Sequence, residues 1–399
     1  MRYWGILLTA GWLGSMPSLG LAQAPKDFDS QVTGGKLDQR DVIVRVPVAD
    51  PVGGFAGSVR VSADGQSVPA QLLDAETGAV VVARLPELKA GQTVKLAVRF
   101  DNQPANVKSP FRWVDMPGQS TELFFGDVLR LRYLYAFDDS TPEARNRTFK
   151  PYTHLFDVST GKVQLTNGPE GKYPHHRGIF FGFNRISYGK QQADVWHGNK
   201  GESQRHERTL TTEAGPVAAR QRVQIGWYGQ DQKRFATEIR ETTVYDVPGG
   251  HLLDMVCRVT TDLPLVKLDG DPQHAGLHFR AAQEVERSTE KQTVFIRPDG
   301  VGKPNETRNW DPKTKQGPVD LPWVGMAVSI AGKRYTILRI DHPDNPTPRR
   351  HSERAYGRFG NYFEYELTPQ RPLVVRVRFW VQEGDMTVAQ CQSIAEAFR

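Results

Sequence analysis

Short runs in which apolar and polar residues alternate follow one another along the chain. Between residues 41 and 100 these runs are DVIVRVPV, SVRVSADGQSVPAQLLD, GAVVVARLP and QTVKLAVRF, and Asp-Gly, Thr-Gly or Ala-Gly pairs separate them. A period of two predicts half-buried β-strands, and the Gly-containing pairs predict tight turns. Several short antiparallel strands in so small a region predict a small β-sandwich of immunoglobulin type over residues 38–105.

From residue 119 to residue 399 the strand signals continue without helical periodicity between them. The runs are VLRLRYLYAF, IFFGFNRISYG, ARQRVQIGWYG, FATEIRETTVYDV, LLDMVCRVTTDL, TVFIRPDG, VGMAVSIAG, RYTILRID, YFEYEL and LVVRVRFWV. This pattern predicts a large antiparallel sandwich or barrel. One helix is expected near the C-terminus, where TVAQCQSIAEAF combines an apolar stripe with a capping box formed by Thr387 and Gln390.

Composition supports an all-β globular protein, and the first residues indicate that it is exported. The 399 residues are 38% hydrophobic and 24% charged, and 37 glycines and 27 prolines favour frequent turns. Residues 1–22 have one early cation, an apolar stretch and small residues at their end, which is the layout of a signal peptide. We therefore expect a periplasmic or secreted protein, and no other segment has the length of apolar sequence that a membrane span needs.

The charge of the chain says little about its binding partners, and the two cysteines leave the question of a disulfide open. The formal net charge is +6, and the cations are scattered, so the sequence does not favour nucleic acid as a partner. An acidic carbohydrate would suit this charge. Cys257 and Cys391 could pair in an oxidising compartment or could be two buried small hydrophobic residues. The sequence does not indicate an oligomeric state.

All ten histidines lie between residues 154 and 351, outside the predicted small sandwich. The segment YPHHRGIFFGF places His175, His176 and Arg177 directly before an apolar run. If the strand begins at these residues, His175 and His176 point to opposite faces. Imidazoles titrate near neutrality and bind transition metals, so this clustering indicates a site of proton transfer or metal binding. The alternative is a histidine bonded to a loop carbonyl and an ordinary arginine ion pair.

The segment ADVWHGN brings Asp194, Trp196 and His197 together. An indole beside a carboxylate is a common arrangement in sugar sites, because the ring stacks on a pyranose and the acid accepts hydroxyl protons. Plain core packing of Trp196 is the alternative reading. We expect Asp194 and Trp196 to contact substrate and His197 to act in catalysis.

In PQHAGLHFRAAQEV, His274, His278 and Arg280 share one face of a predicted strand. Groups that carry positive charge are costly to bury unpaired, so this face is expected to line a wet cleft. His274 and His278 could bind a divalent metal together with His175 or His176. Because the spacing matches none of the strong zinc patterns, we assign no metal ligands and regard no cofactor as certain.

A long polar loop, RIDHPDNPTPRRHSERAYGRFG, lies between two predicted strands and is stiffened by proline. Long polar loops are more often functional than not, although a solvated surface loop is the alternative. Within it, Arg354 could clamp a carboxylate, Glu353 could bind substrate, and Tyr356 could give or take a proton.

Over roughly residues 40–399 the chain resembles a family of secreted bacterial proteins labelled "methane oxygenase PmoA", or PmoA-like. The resemblance is carried by the elements YPHHRGIFFGF, DVWH, DHPDNPTPRRHSERAYGRFG and VRFWVQEGDM. A methane oxygenase subunit lies in a membrane, and no segment of this chain could span one. The resemblance implies instead a carbohydrate-directed protein with a β-supersandwich similar to mutarotases and polysaccharide lyases.

Together these observations predict an exported enzyme that cleaves a glycosidic linkage in a cleft on the large sandwich. Elimination would use His176 or Tyr356 as acid or base and an arginine to hold a carboxylate or enolate. Hydrolysis would need two carboxylates, for which Asp194 and Glu353 are available. A carbohydrate-binding protein without catalysis, and a metal-dependent isomerase or eliminase acting on an oxidised glycoside, are the alternatives. The predicted catalytic residues are His175, His176, Arg177, His197 and Tyr356, and the predicted substrate-binding residues are Asp194, Trp196, His278, Arg280, Glu353 and Arg354.

Overall fold

Two antiparallel β-sandwiches make up the part of the chain that the computed structural model describes, which is residues 24–50, 52, 55, 57–75, 78–104 and 108–397. The predicted all-β fold class, a small sandwich followed by a large one, is confirmed. The predicted signal peptide lies outside the described residues. Among those residues, no helix has the length and apolar character needed to cross a membrane.

The small sandwich has seven strands in two sheets. These strands are β1 (Phe28–Thr33), β2 (Gln39–Val48), β3 (Ser58–Ala63), β4 (Gln66–Val68), β5 (Ala70–Ala75), β6 (Gly78–Leu88) and β7 (Thr93–Asp101). The sheet orders are β1-β7-β3-β4 and β2-β6-β5. Because β1 pairs with β7 along its whole length, this sandwich begins before the predicted boundary at residue 38.

The large sandwich follows from residue 111, slightly before the predicted start at residue 119. Its first strands are β8 (Phe111–Met116), β9 (Ser120–Phe125), β10 (Val128–Leu134), β11 (Tyr152–Leu155), β12 (Ile179–Phe183), β13 (Arg185–Tyr188), β14 (Gln191–Ala193), β15 (Ser203–Ala214), β16 (Ala218–Tyr228), β17 (Arg234–Tyr245) and β18 (His251–Thr260). The others are β19 (Val266–Asp269), β20 (Ala275–Arg280), β21 (Val294–Arg297), β22 (Gly300–Val301), β23 (Trp323–Ile330), β24 (Lys333–Asp341), β25 (Arg350–Arg354), β26 (Arg358–Tyr362), β27 (Tyr365–Leu367) and β28 (Leu373–Glu383).

Two large sheets face each other in this sandwich. The nine-stranded sheet has the order β15-β16-β17-β18-β28-β24-β23-β21-β22, and the eight-stranded sheet has the order β25-β26-β20-β12-β11-β10-β9-β8. A four-stranded sheet, β14-β13-β19-β27, flanks them. Met255 and Val377 of the nine-stranded sheet belong to the same buried core as Phe181 and Leu277 of the eight-stranded sheet. This shared apolar core holds the sandwich together.

The outer face of the eight-stranded sheet is also buried around β12 and β20, and this sets the position of the candidate site. Along β12, Phe181 points into the core, and the alternating residue Phe180 packs on the other side against Tyr152 and Trp196. Phe180 pairs across strands with His278 on that outer face. Loops must cover this face, because both rows of side chains are inaccessible to solvent.

Two helices flank the strands. The predicted C-terminal helix is present as α2 (Val388–Glu396), and Thr387 and Gln390 form the predicted capping box. A second helix, α1 (Pro142–Thr148), was not predicted, although Thr141 caps it and a proline begins it, as helix starts favour. One π-helical turn (Val285–Thr289) and one 3₁₀ turn (Glu290–Gln292) follow β20.

Both cysteines are free and buried, so the disulfide that the sequence left open is not formed. Cys257 belongs to the large core, whereas Cys391 on α2 packs in a separate apolar cluster with Trp323 and Leu338. Burial raises the pKa of Cys391 to about 12. The two residues act as small apolar side chains.

A buried histidine on β18 makes the fold sensitive to acid. The Nε2 of His251 lies 2.7 Å from the carbonyl oxygen of Phe156, and burial, followed by the charge of Arg130, lowers the pKa of His251 from 6.5 to about 4. The unfolded chain therefore binds more protons between these two values. His251 contributes stability above pH 6.5 that is lost as the pH falls towards 4.

We expect the free energy of unfolding to fall by about 2 kcal/mol from this residue alone between about pH 7 and about pH 4.5. Urea denaturation at both pH values, in the wild type and in His251→Gln, measures this contribution. The variant should show the smaller difference between the two pH values. An identical pH dependence in the two proteins would contradict the assignment.

Candidate active site

Four histidines from three separate segments meet on the outer face of the eight-stranded sheet. The ring centroids of His175 and His176 are 4.2 Å apart, those of His175 and His197 are 4.5 Å apart, and those of His197 and His274 are 4.9 Å apart. We call these four residues the histidine cluster. The structure thus brings together three predicted catalytic histidines and His274, which the sequence placed on the face of a wet cleft and considered as a possible metal ligand.

A turn, rather than a strand, positions His175 and His176. The backbone N–H of His176 donates to the carbonyl of Tyr173 at 3.0 Å, and β12 begins only at Ile179. The condition under which the two histidines would point to opposite faces is therefore not met, because strand alternation does not apply in a turn. Gly178 then has φ +56°, and a Cβ there would lie 2.4 Å from the carbonyl oxygen of Thr153, so glycine is required.

Two carboxylates orient the other two histidines. The Nδ1 of His197 donates to Asp194 at 2.8 Å, and the Nδ1 of His274 donates to Asp271 at 2.9 Å. Each pair has the spacing Asp-x-x-His, in DVWH and DPQH, and this repeated spacing is a sequence signal that would have identified Asp271. Burial alone would raise the pKa of Asp271, but hydrogen bonds, chiefly from His274, hold it below its ordinary value. Within the part of the chain that the structure describes, neither Nε2 makes a hydrogen bond, so each lone pair can accept a hydrogen bond or bind a metal.

The remaining two imidazoles have buried nitrogen atoms without a hydrogen-bond partner among the described residues, namely the Nε2 atoms of His175 and His176. Burial, followed by the charge of Lys150, lowers the pKa of His175 to about 2. Burial and then Arg358 lower the pKa of His176 far below 6.5. Nitrogen atoms of His175, His176 and His274 lie within 4.8 Å of one another, so these three residues could hold a metal ion.

Lys150, a residue that was not predicted from the sequence, lies beneath the histidine cluster. Its Nζ donates to the carbonyl of Trp196 at 2.7 Å and lies 4.5 Å from the ring centroid of Phe180. Burial, followed by the charge of Arg177, lowers the pKa of Lys150 well below its ordinary value. No motif marks this residue in the sequence, since its position follows from the folding of the segment between α1 and β11.

Tyr356, a predicted catalytic residue, lies at the histidine cluster. It occupies the turn between β25 and β26, and its hydroxyl lies 3.5 Å from the Nδ1 of His176. Arg358 donates to the same hydroxyl from 3.4 Å, and the ring of Tyr356 stacks on Tyr173 with the centroids 4.8 Å apart. Tyr356 is half-buried, so its phenol can face both the histidines and a ligand. The sequence missed Arg358, whose guanidinium is fully buried.

Arg177 is not available for catalysis, contrary to the prediction. Its side chain is 0% exposed, and its guanidinium donates to the backbone carbonyls of Asn146, Arg147 and Pro174 at 2.8–3.0 Å. The guanidinium also lies 4.7 Å from the centroid of Phe149. Arg177 therefore fixes α1 and the turn that carries the histidines.

Arg280 and His278, both predicted to bind substrate, are also buried and hydrogen-bonded within the protein. Arg280 donates to the carbonyl of Tyr356 and to the carboxylate of Glu286. The Nε2 of His278 lies 2.8 Å from the carbonyl of Ala275, and its Nδ1 accepts from Arg358 at 2.8 Å. Both side chains are 0% exposed. The wet cleft predicted for this strand face is therefore a packed layer, in which paired polar groups support the cluster above them.

Trp196 and Glu353 are also buried, and this removes two further predicted roles. Trp196 is 0% exposed, so no sugar ring can stack on it. Glu353 is 1% exposed, and its carboxylate accepts from Arg297 at 2.9 and 2.5 Å and from the backbone N–H of Arg308 at 2.7 Å. Burial raises the pKa of Glu353 against the opposing effect of Arg297, but neither oxygen is left for substrate.

Arg354, which the sequence predicts to bind substrate, remains partly accessible. It is half-buried, and its Nη1 donates to Asn309 at 2.8 Å and to the carbonyl of Glu353 at 2.8 Å. Burial, followed by Arg358, lowers the pKa of Arg354, while Tyr356, Tyr173 and Asp271 act in the opposite direction. Its charge is therefore close to the histidine cluster and can act on a ligand bound there.

A polar cleft of about 650 Å³ adjoins the histidine cluster. It is lined by Asp194, the hydrogen-bond partner of His197, and is formed mainly around β13, β14, β19 and β27. Its polar lining includes Asn184, Arg185, Ser187, Gln192, Asp194, Asn199, Lys200, Glu202, Gln230, Lys267, Asp269, Glu364, Tyr365 and Glu366. Amide, hydroxyl and carboxylate side chains of this kind are suited to hydrogen bonding with a polyhydroxylated ligand.

The sequence pattern of one protein family, described as "Family of unknown function (DUF6807)", matches residues 120–396, which is more than two thirds of the chain. The chain belongs to the DUF6807 family. The match contains the histidine cluster and almost all of the large sandwich, and it excludes the small sandwich. No protein with a curated description matches the sequence.

Two solved structures resemble this DUF6807 protein distantly. One is an alpha-mannosidase from Enterococcus faecalis V583, with a TM-score of 0.45 and 9% identity over 92% of this chain and 44% of that chain. The other is a protein in the glycosyl hydrolase family 38 from Enterococcus faecalis, with a TM-score of 0.41 and 10% identity over 91% of this chain and 45% of that chain. The chain spans less than half the length of each. Similarity at this level does not bear on the activity of the DUF6807 protein.

Proposed function

We propose that the protein is a carbohydrate-active enzyme that breaks a glycosidic linkage by elimination. The observation that carries this proposal is the position of the Tyr356 hydroxyl, 3.5 Å from His176 within a cluster of four imidazoles at a half-exposed surface. Groups that can give and take protons are thus concentrated at one place, with the charge of Arg354 beside them. Export to the periplasm or the medium is part of the proposal and rests on residues 1–22.

The elimination needs one proton acceptor and one proton donor. The acceptor removes a proton from the sugar carbon next to a carboxylate or keto group, and the electron pair forms a C=C bond as the bond to the glycosidic oxygen breaks. The leaving oxygen then takes up a proton. Tyr356 and an uncharged imidazole of the cluster are the groups able to exchange these protons, and Arg354 would stabilise the carboxylate or enolate.

Elimination accounts for the site better than hydrolysis does. Hydrolysis by the common route needs two available carboxylates at a fixed separation. Of the two carboxylates predicted for it, Glu353 is enclosed by Arg297, and Asp194 is bonded to His197. An elimination that uses imidazole and phenol groups needs no free carboxylate, and the adjoining cleft offers room for neighbouring sugar units.

The test is to incubate the purified protein with oligosaccharides that contain uronic acid, with oxidised glycosides that carry a keto group, and with neutral glycosides. We expect new ultraviolet absorbance from an unsaturated product with one of the first two classes. New reducing ends without that absorbance would show hydrolysis instead. Binding without any product would show a carbohydrate-binding protein and would overturn the proposal.

A further inference from the structure

We propose that His175, His176 and His274 bind one divalent first-row transition metal ion, with His197 as the adjacent imidazole on the substrate side. This inference concerns the same cluster as the proposed function, but metal binding itself does not depend on elimination chemistry. Three imidazole ligands are a set that zinc, copper, iron and nickel ions accept.

The three rings are already close to the geometry that an ion requires. Their nitrogen atoms lie within 4.8 Å of one another. Ligand nitrogens bonded to zinc at about 2.0 to 2.1 Å stand roughly 3.3 Å apart in a tetrahedral site. Small rotations of the rings close this difference, because His175 and His274 are half-buried and the buried His176 lies with His175 on a turn.

Two of the donor atoms have no other partner. The Nε2 atoms of His175 and His176 are buried and accept no hydrogen bond from any described residue. Buried polar atoms are paired in the great majority of cases, so two unpaired nitrogens aimed into one cluster call for a ligand. A metal ion would satisfy both nitrogens at once. Two imidazoles could satisfy each other only through a hydrogen bond, in which one nitrogen carries the proton and the other accepts it.

The carboxylates complete the arrangement. Asp271 holds the Nδ1 of His274, and Asp194 holds the Nδ1 of His197, so that the Nε2 lone pair of each ring faces away from its carboxylate. Outer carboxylates of this type fix the tautomer of a metal-binding histidine and raise its basicity. The charge of Asp194 also acts on Lys150 in the sense opposite to burial and the neighbouring arginines, and so offsets part of the positive charge beneath the cluster.

If the proposed function holds, the ion would act as a Lewis acid on the keto or carboxylate oxygen of the substrate. Tyr356 would then take the proton from the adjacent carbon, and Arg354 would share the charge of the enolate. This role rests on the proposed function, and it favours a substrate with an oxygen group that can reach the ion and Arg354 together.

Metal binding can be measured without any substrate. The protein is purified without a polyhistidine tag, treated with a chelator and dialysed, and then titrated with Zn²⁺ by calorimetry and with Co²⁺ by visible absorption. We expect one ion per chain and a Co²⁺ spectrum of low coordination number. His274→Gln and His176→Gln should each weaken Zn²⁺ binding by at least a hundredfold, and Asp271→Asn should weaken it 10- to 100-fold.

The matched control is His342→Gln, which changes a half-buried histidine of the 342–349 loop outside the cluster and should leave binding unchanged. His274 is half-exposed, so its variant should fold even if His176→Gln does not. Failure of the wild type to bind Zn²⁺ stoichiometrically, or unchanged binding in His274→Gln, would overturn the metal site. Elimination activity that survives complete metal removal would support the proposed function and show that the ion takes no part in it. Metal binding without elimination activity would support the metal site and contradict the proposed function.

Discussion

The variant Tyr356→Phe is expected to lower kcat for elimination by about 10²- to 10⁴-fold, which is the usual contribution of a positioned acid or base. The change removes only the hydroxyl that lies near His176 and Arg358. The ring remains and keeps its stacking on Tyr173, so substrate binding should change little. Steady-state kinetics on the substrate found in the oligosaccharide panel measures kcat and KM separately.

Tyr135→Phe provides the matched control for this variant. Tyr135 is a half-buried tyrosine near the end of β10, far along the sheet from β26, and its hydroxyl donates to Asp115 at 2.9 Å. Its loss removes one hydroxyl hydrogen bond without touching the cluster. Zn²⁺ binding should stay the same in both variants. A Tyr356→Phe enzyme that keeps more than a tenth of the wild-type kcat would show that another group moves the proton.

Alternation of apolar and polar residues was sufficient to predict the fold class and most strands. It failed at β15, whose sequence SQRHERTLTTEA carries polar side chains on both faces. β15 is an edge strand of the nine-stranded sheet, so only one of its sides is paired and much of it remains half-exposed. A period-two signal needs one buried face, and an edge strand of this kind provides too little of it.

The convergence of the histidine segments was a sequence prediction, and the ring distances confirm that His175, His176 and His197 meet. The role of individual neighbours could not be predicted. Arg177, Arg280 and Glu353 belong to residue types that occur both in active sites and in buried ion pairs. Whether such a residue lies in an active site or in a buried ion pair depends on its burial and on its partners. Those partners, such as Glu286 and Arg297, are distant in sequence or carry no motif.

Asp271 could have been found from the sequence, because it stands three residues before His274 as Asp194 stands before His197. Lys150 and Arg358 could not. Their importance arises from the fold, which stacks the outer face of β12, β20 and β26 beneath the cluster. The sequence therefore identified the residues that meet in the cluster more reliably than the residues that hold them in place.

Glu353→Ala is expected to lower the free energy of unfolding by about 3 to 5 kcal/mol, because it leaves the buried guanidinium of Arg297 with only the longer contact to Glu306, at 3.7 Å. Both side chains of this pair are 1% exposed, and they share two hydrogen bonds of 2.9 and 2.5 Å. Arg297→Ala should cost a similar amount. Urea denaturation of each variant and of the double variant measures the coupling between the two residues.

The paired replacement Arg297→Met with Glu353→Leu should be far less destabilising than either single alanine variant, since apolar side chains of similar volume can replace a buried ion pair. Glu383→Ala is the exposed control, because its partner Lys333 is 49% exposed and Glu383 itself is 46% exposed; that change should cost less than about 1 kcal/mol. If Glu353 were instead a catalytic carboxylate, Glu353→Gln would abolish activity while stability stayed near that of the wild type. We expect the reverse, with activity retained at temperatures where the variant is folded, because the carboxylate serves Arg297 and the hairpin that carries Tyr356.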